Sequence, residues 1–178
     1  METNDLEKLR SAIIDNARIA FRELATRVKS ETLYGFALYT DDSLDGIDAA
    51  VNTLEHYNRA IARPRANRFE SYWYPISWGL EGGVAKYFEQ TSAILSSFGS
   101  RLVHDDFRLH VLDVFLDAMS HLIDEGLFDE FNSAEDRLFE ISITDSDDDE
   151  MISERSIREL NPQSVWKRYL NEKEAVGY

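Results

Sequence analysis

The residues of this chain best able to do chemistry are carboxylates. The stretch "DSDDDE", Asp145 to Glu150, puts five acids in six positions directly after the apolar alternation "ISIT". A second acidic stretch, "DDSLDG" (Asp41 to Gly46), follows another apolar run, "LYGFALYT". Clustered oxygen donors suit hard cations such as Mg or Ca. Neither stretch is an EF-hand loop, which needs glycine at its sixth position and a bidentate glutamate at its twelfth. Counted from Asp145 those positions hold Glu150 and Ser156; counted from Asp41 they hold Gly46 and Asn52. A looser metal site is the alternative, with Asp41 and Asp45 facing Asp145 and Asp147. It requires the two preceding strands to be parallel neighbours, because antiparallel strands put the clusters at opposite ends. The simpler readings need no metal. Acids in the first turn of a following helix complement its dipole, and Asp145, Asp147, Asp148, Asp149 and Glu150 form the sharpest point of an acidic face for a basic partner.

Other constellations are weaker. Asp106, His110, Asp113, Asp117 and His121 fall within about 80° of one another on a helix, but they are the only polar side of that helix and read as its solvated face. The crowded "YWYPISW" offers Trp73 and Trp78, with Tyr72 and Tyr74, either as core anchors or as a partner-binding or small-ligand patch. Nucleophilic catalysis has no support: there is no cysteine, no G-x-S-x-G elbow, and "GLEGG" lacks the lysine and spacing of a phosphate loop. No catalytic residue is expected, and no cofactor unless the acidic stretches take Mg or Ca.

The elements that must position these residues follow from periodicity. Leu6, Leu9, Ile13, Ala17, Phe21, Leu24 and Val28 recur at three and four, predicting an N-terminal helix over 4–30. "LYGFALYT" is apolar on both faces, as a strand covered on both sides is; Tyr34, Phe36 and Leu38 are expected on one face and Gly35, Ala37 and Tyr39 on the other. The turn "DDSLDG" joins it to "IDAAVNTL" as an antiparallel hairpin. "RFESYWYP" reads as a third strand. Two helices follow, to about Phe98 and from Asp106 to Glu125. "LFEISIT" reads as a fourth strand, with Phe139, Ile141 and Ile143 inward and Glu140, Ser142 and Thr144 outward. A helix over 151–160 and a last one over 162–173, with Asn161 and Pro162 at its start, complete an α+β fold: a small, mainly antiparallel sheet of about four strands, one layer thick, packed with helices.

The 178 residues are expected to form a single domain, 1–178. No apolar run approaches a membrane span and the N-terminus lacks the apolar block of a signal peptide, so a cytoplasmic location is expected. The net charge is −15 and is unevenly spread. Residues 104–161 carry eighteen acids and four bases, while residues 56–70 carry Arg59, Arg63, Arg65 and Arg68 against Glu70 alone. Such a field repels nucleic-acid phosphates and favours basic protein partners.

Several pieces together, "YGFALYTDD" (Tyr34 to Asp42), "AAVNT" (Ala49 to Thr53), "YWYPISWGLE" (Tyr72 to Glu81), "DEGLF" (Asp124 to Phe128), "ISITDSDDDE" and "SIRELNP" (Ser156 to Pro162), resemble a bacterial family known as domain of unknown function 4303 (DUF4303). The resemblance covers about 34–162. It departs from the family pattern after "DEGLF", where Asp129 stands in place of an expected glycine. It implies small, single-domain, cytoplasmic bacterial proteins and carries no activity or catalytic residues. With the charge map, it leads to the expectation of an acidic protein-binding module, an immunity or antitoxin protein that blocks a basic toxin domain. A carboxylate-based metal enzyme and a small-ligand module are the alternatives. The oligomeric state is not legible.

Overall fold

The computed structural model describes residues 2–144 and 149–177. Helix α1 (Glu2–Arg27) buries Leu9, Ile13, Ala17, Phe21 and Leu24 along the stripe that the spacing predicts. Strands β1 (Leu33–Asp41) and β2 (Asp48–Thr53) form the expected antiparallel hairpin, with Tyr39 opposite Asp48 and Leu33 opposite Thr53. There follow α2 (Leu54–Ile61), α3 (Arg68–Trp73), the two-residue β3 (Leu80–Glu81), α4 (Glu89–Phe98) and α5 (Asp105–Asp124). Strand β4 (Ser133–Thr144), α6 (Asp149–Leu160) and α7 (Gln163–Val176) close the described chain.

The fold is α+β, but the sheet is mixed rather than mainly antiparallel, with three full strands and the short β3. Its order is β3-β2-β1-β4. β4 runs parallel to β1, from Gly35 opposite Leu138 to Asp41 opposite Thr144. A parallel pair cannot be closed by a tight turn, so everything between Asp41 and Ser133 serves as its crossover. Helices cover both faces of β1, as its two apolar faces require. Phe36, Leu38, Val51, Phe139, Ile141 and Ile143 join one core with side chains of α1, α4 and α5; Tyr34, Ala37, Ala50 and Leu138 join a second, aromatic core with α3 and α7.

Three local expectations change. Tyr34 lies in the second core with Ala37, not on the Phe36 face, because the β1 register shifts between Leu33 and Gly35 and a bulge breaks strict alternation. "RFESYWYP" is not a strand. The Asn67 side chain accepts the Phe69 and Glu70 N–H groups and caps α3, whose buried residues Phe69, Tyr72 and Trp73 have i, i+3, i+4 spacing. Glu140 and Ser142 do not face solvent: both are buried, and Ser153 of α6 donates a hydrogen bond to the Glu140 carboxylate.

The outer edge of β4 would be an open row of peptide groups, and α6 closes it with side chains. Ser156 Oγ accepts from the Ile141 N–H at 3.0 Å. Asn161 accepts from the Phe139 N–H and donates to the Phe139 carbonyl, both at 2.8 Å. Each amide group of Asn161 thus stands in for part of a missing strand. Its Nδ2 also donates to the Ile157 carbonyl at 2.9 Å, which fixes the rotamer. Among the described residues no helix is long and apolar enough to cross a membrane.

Replacing Asn161 by Ala strips both partners from the Phe139 peptide, and an unsatisfied buried group costs about 1–3 kcal/mol. Urea unfolding should show a loss of that size for Asn161→Ala; an unchanged midpoint would mean that the edge is not held by this side chain.

Candidate functional site

The parallel pairing of β1 with β4 fixes the placement of the acidic stretches. Both strands end at the same side of the sheet, Asp41 beside Thr144. The loop after β1 is held by Leu44, which is fully buried with φ 54. Its neighbours Asp41, Asp42, Ser43 and Asp45 are exposed. Arg108, one turn into α5, donates to both the Asp42 carbonyl and, at 2.9 Å, its carboxylate. That contact brings the first turn of α5, with exposed Asp105 and Asp106, to the same end. Val103, just before it, is 81% exposed. Asp41, Asp45, Asp105 and Asp106 make no ion pair among the described residues.

Asp145, Asp147 and Asp148 lie outside the described residues, so the partner and metal roles expected for them have no described geometry. Asp149 begins α6. Glu150 is bound by Lys173, which also holds Glu154 at 2.8 Å. Among the described residues, no group of three or more histidines and carboxylates is placed to hold a metal ion. The condition set by the sequence for Asp41 and Asp45 to face Asp145 and Asp147, parallel neighbouring strands, is met.

Much of the remaining acid in 104–161 is internal bracing. Arg10, Arg18 and Arg22 of α1 pair with Asp117 of α5, with Glu125 at its C-cap and with Glu130 just beyond, the last two at 2.8 and 2.9 Å. Both residue numbers climb together, so α1 and α5 run parallel and the pairs form a ladder along their seam. Asp113 pairs with Arg155 of α6 at 2.7 Å. Asp113 and Asp117 of the stripe are therefore interhelical links, not only a solvated face, whereas His121 lies 3.6 Å from Glu125 at the end of its own helix. Exposed pairs of this kind contribute little each; their effect is to set the register of the helices. Asp129, where the family pattern expects glycine, pairs with Arg137 at 2.6 Å.

Trp73 and Trp78 are corrected from partner-binding residues to core. They are 0% and 4% exposed, and both indole N–H groups are used within the chain, Trp73 to Glu172 at 2.8 Å and Trp78 to the Tyr72 carbonyl at 3.1 Å. The Trp78 ring lies on Gly35, where a Cβ would stand 2.8 Å from it. Tyr34 stacks on Tyr72 at 4.4 Å between ring centroids and accepts a hydrogen bond from buried Asn52 at 2.8 Å. Burial pushes the Tyr34 hydroxyl far above its usual range. The motif pieces "YGF", "AAVNT" and "YWYPISW" thus interlock to build the second core.

At the opposite end of the sheet is a cleft that the sequence reading missed. It has a volume of about 190 Å³ and is lined by Val28, Glu31, Asn52, Thr53, His56, Arg59 and Gly79, over the buried Val51. Thr53 caps α2 by accepting the His56 N–H at 3.0 Å, and its hydroxyl donates to Glu31. Arg59 reaches the same carboxylate at 3.1 Å. The Thr53 hydrogen bond and Arg59 hold Glu31 below the usual carboxylate range. A Cβ on Gly79 would stand 2.0 Å from His56 Nδ1, so the imidazole sits on the glycine backbone. Burial, then the charges of Arg59 and Arg63, push the His56 pKa down, against a smaller opposing pull from Glu31. The signal in the sequence was negative: residues 56–68 contain no acid in a chain with 34.

Because the folded His56 pKa lies below 6.5, the unfolded chain takes up a proton first as pH falls, and folded stability then declines. The part due to His56 should be complete above about 6.5 and lost as pH falls through the folded value. Melting curves at stepped pH between 7.5 and 5.5 check this: His56→Gln should flatten the dependence, and an unchanged slope would contradict it.

A family model described as a domain of unknown function (DUF4303) matches residues 13–162 of the 178. No curated protein and no solved structure matches the chain.

Proposed function

We propose a function for a chain that belongs to the DUF4303 family: it is an acidic protein-binding module whose working surface is the end of the sheet where β1 and β4 finish. The observation that carries this reading is the convergence of separate acidic segments, the β1–β2 loop and the first turn of α5, beside the strand that leads into "DSDDDE". Much of the other acid is consumed by arginines of α1 and α6, whereas Asp41, Asp45, Asp105 and Asp106 remain exposed. The exposed Val103 adds an apolar contact beside them, in keeping with interfaces that combine apolar anchors with a charged rim. The partner class that fits is a basic toxin domain, with this end covering its active site as an immunity protein would. Complementary charge would speed the encounter and make it salt-sensitive.

The test is made with the tagged full-length chain co-expressed with the product of the neighbouring gene. A stoichiometric basic partner should be recovered. Replacing Asp41, Asp45, Asp105 and Asp106 together by Asn should slow association at low salt by about tenfold, because rim charges act mainly on the on-rate. Neutralising the exposed Glu135 and Asp136 near the start of β4 should change it much less. Equal effects from both sets would reduce the acidic end to a contribution to net charge and sink the proposal.

The same convergence supports a second reading, in which Asp41 and Asp45 take Mg or Ca with Asp145 and Asp147. A ligand well above its dissociation constant must raise the melting temperature. Millimolar Mg, Ca and Mn should each be tried in melting experiments; no shift with any of them removes this reading.

A further inference from the structure

The acidic end accounts for the carboxylates but leaves the arginines of the opposite end without a role. Arg59, Arg63, Arg65 and Arg68 fall within ten residues, in a segment free of acids. Arg63, Arg65 and Arg68 make no ion pair among the described residues, although acids outnumber bases by 34 to 19 in the chain. Screening limits charge effects to about 8–10 Å in ordinary salt, so the field at this corner is set by these cations and by the carboxylates beside them, Glu31 and Glu55, and not by the net charge of −15.

The corner adjoins the cleft at the end of β2. Its volume of about 190 Å³ lies below the roughly 300–1,000 Å³ typical of drug-sized ligand sites, so its occupant is small. The donors available to that occupant are specific. Glu31 engages Arg59 through Nη1, and the rest of that guanidinium fork faces outward on a side chain 59% exposed. The Nδ1 edge of His56 lies against Gly79, since Nδ1, Cε1 and Cγ are its nearest atoms there. Nε2 is therefore the ring nitrogen left for a ligand. Arg63 follows Arg59 by four positions, just past the end of α2, where it is exposed outside the cleft lining, and its charge acts on the same imidazole.

We propose that this cleft binds a small phosphorylated ligand, with Arg59, Arg63 and His56 Nε2–H as the donors to its phosphate. A phosphate monoester carries close to two charges at neutral pH and offers three acceptor oxygens, which matches three donors. A monocarboxylate offers no more than Glu31 already supplies to Arg59, and would only exchange with it. Asn52 is not one of the donors, since its amide is committed to Tyr34 and the Ser71 carbonyl. Gly79 is required because any side chain there displaces the imidazole. The charged or titratable groups facing His56 are Glu31 from the turn after α1 and Arg59 and Arg63 from α2 and its end; the Gly79 segment contributes none to the lining. A bound dianion adds negative charge to this set, so binding should be coupled to proton uptake by the imidazole.

The site does not rest on the protein-binding reading, because it lies at the other end of the sheet and its failure would leave that reading untouched. Inorganic phosphate is the probe, titrated into the isotopically labelled full-length chain at constant ionic strength and followed by NMR. The expected result is saturable shifts confined to Thr53, His56, Arg59 and Gly79, with the His56 titration midpoint raised. Arg63→Ala, at an exposed position outside the core, should weaken the response about tenfold, as loss of a charge-assisted hydrogen bond does. Gly79→Ala should abolish it, and Arg158→Ala on α6 should leave it unchanged. Shifts that grow linearly without saturating, that spread over many arginines, that acetate reproduces equally, or that survive in Arg63→Ala would overturn the proposal.

Discussion

The parallel pairing of β1 with β4 is the constraint on which the rest of the molecule depends. Parallel neighbours need a long return path, and here that path carries β2, β3 and four helices. Because β1 is central and covered on both faces, the path must supply two cores. It does so with α4 and α5 on one side and α3 on the other, completed by α1 and α7. The same pairing decides the chemistry of the surface. β1 and β4 finish side by side, and the sequence after each is acidic. The hairpin return of β2 then delivers α2, with Arg59, and the arginines that follow it to the other end. The exposed acids of the β1–β2 loop and of the first turn of α5 therefore sit at the C-terminal end of β1, while Arg59 and the arginines that follow it sit at the other end, beside Glu31.

β4 is also an edge strand, and its exposed peptide groups would invite pairing with another chain. The answer is local and uses residues close in sequence. Helix α6 lies along the edge, and Ser156 and Asn161 take the Ile141 and Phe139 peptide groups. The family piece "SIRELNP" thus serves the strand in "ISITDSDDDE", and both are explained by one contact. The other family pieces work in the same way. Gly35 makes room for Trp78, Asn52 holds Tyr34, and Tyr72 stacks on it. These residues build and lock the scaffold, which explains why they show no catalytic pattern.

Periodicity made the two long helices, the hairpin and the last strand legible, because their apolar residues repeat at the period of the element that buries them. "RFESYWYP" misled because aromatic residues favour strands, while the helical signal, Asn67 as a cap before a 69, 72, 73 spacing, is short. Glu140 was placed outward because a carboxylate in an alternating strand usually faces water; only the tertiary fact of α6 lying over it, with Ser153 as partner, reverses that. The role of the acids in α5 was hidden for a similar reason. Their partners Arg10, Arg18 and Arg22 lie more than a hundred positions away, and a balanced N-terminal segment gives no sign that its cations are spent elsewhere. The cleft at His56 was invisible because its walls come from three separate segments.

The central claim is that acidic segments distant in sequence share one end of the sheet. Pairs of spin labels test it directly, since the chain has no cysteine to compete with introduced ones. One label stays at position 43 in the β1–β2 loop, and the second is placed at 150 or at 135, the two ends of the β4 region. Parallel strands predict that the 43–150 distance is the shorter of the two. A shorter 43–135 distance would mean that β4 runs the other way, that the acidic stretches lie at opposite ends, and that the surface described here does not exist.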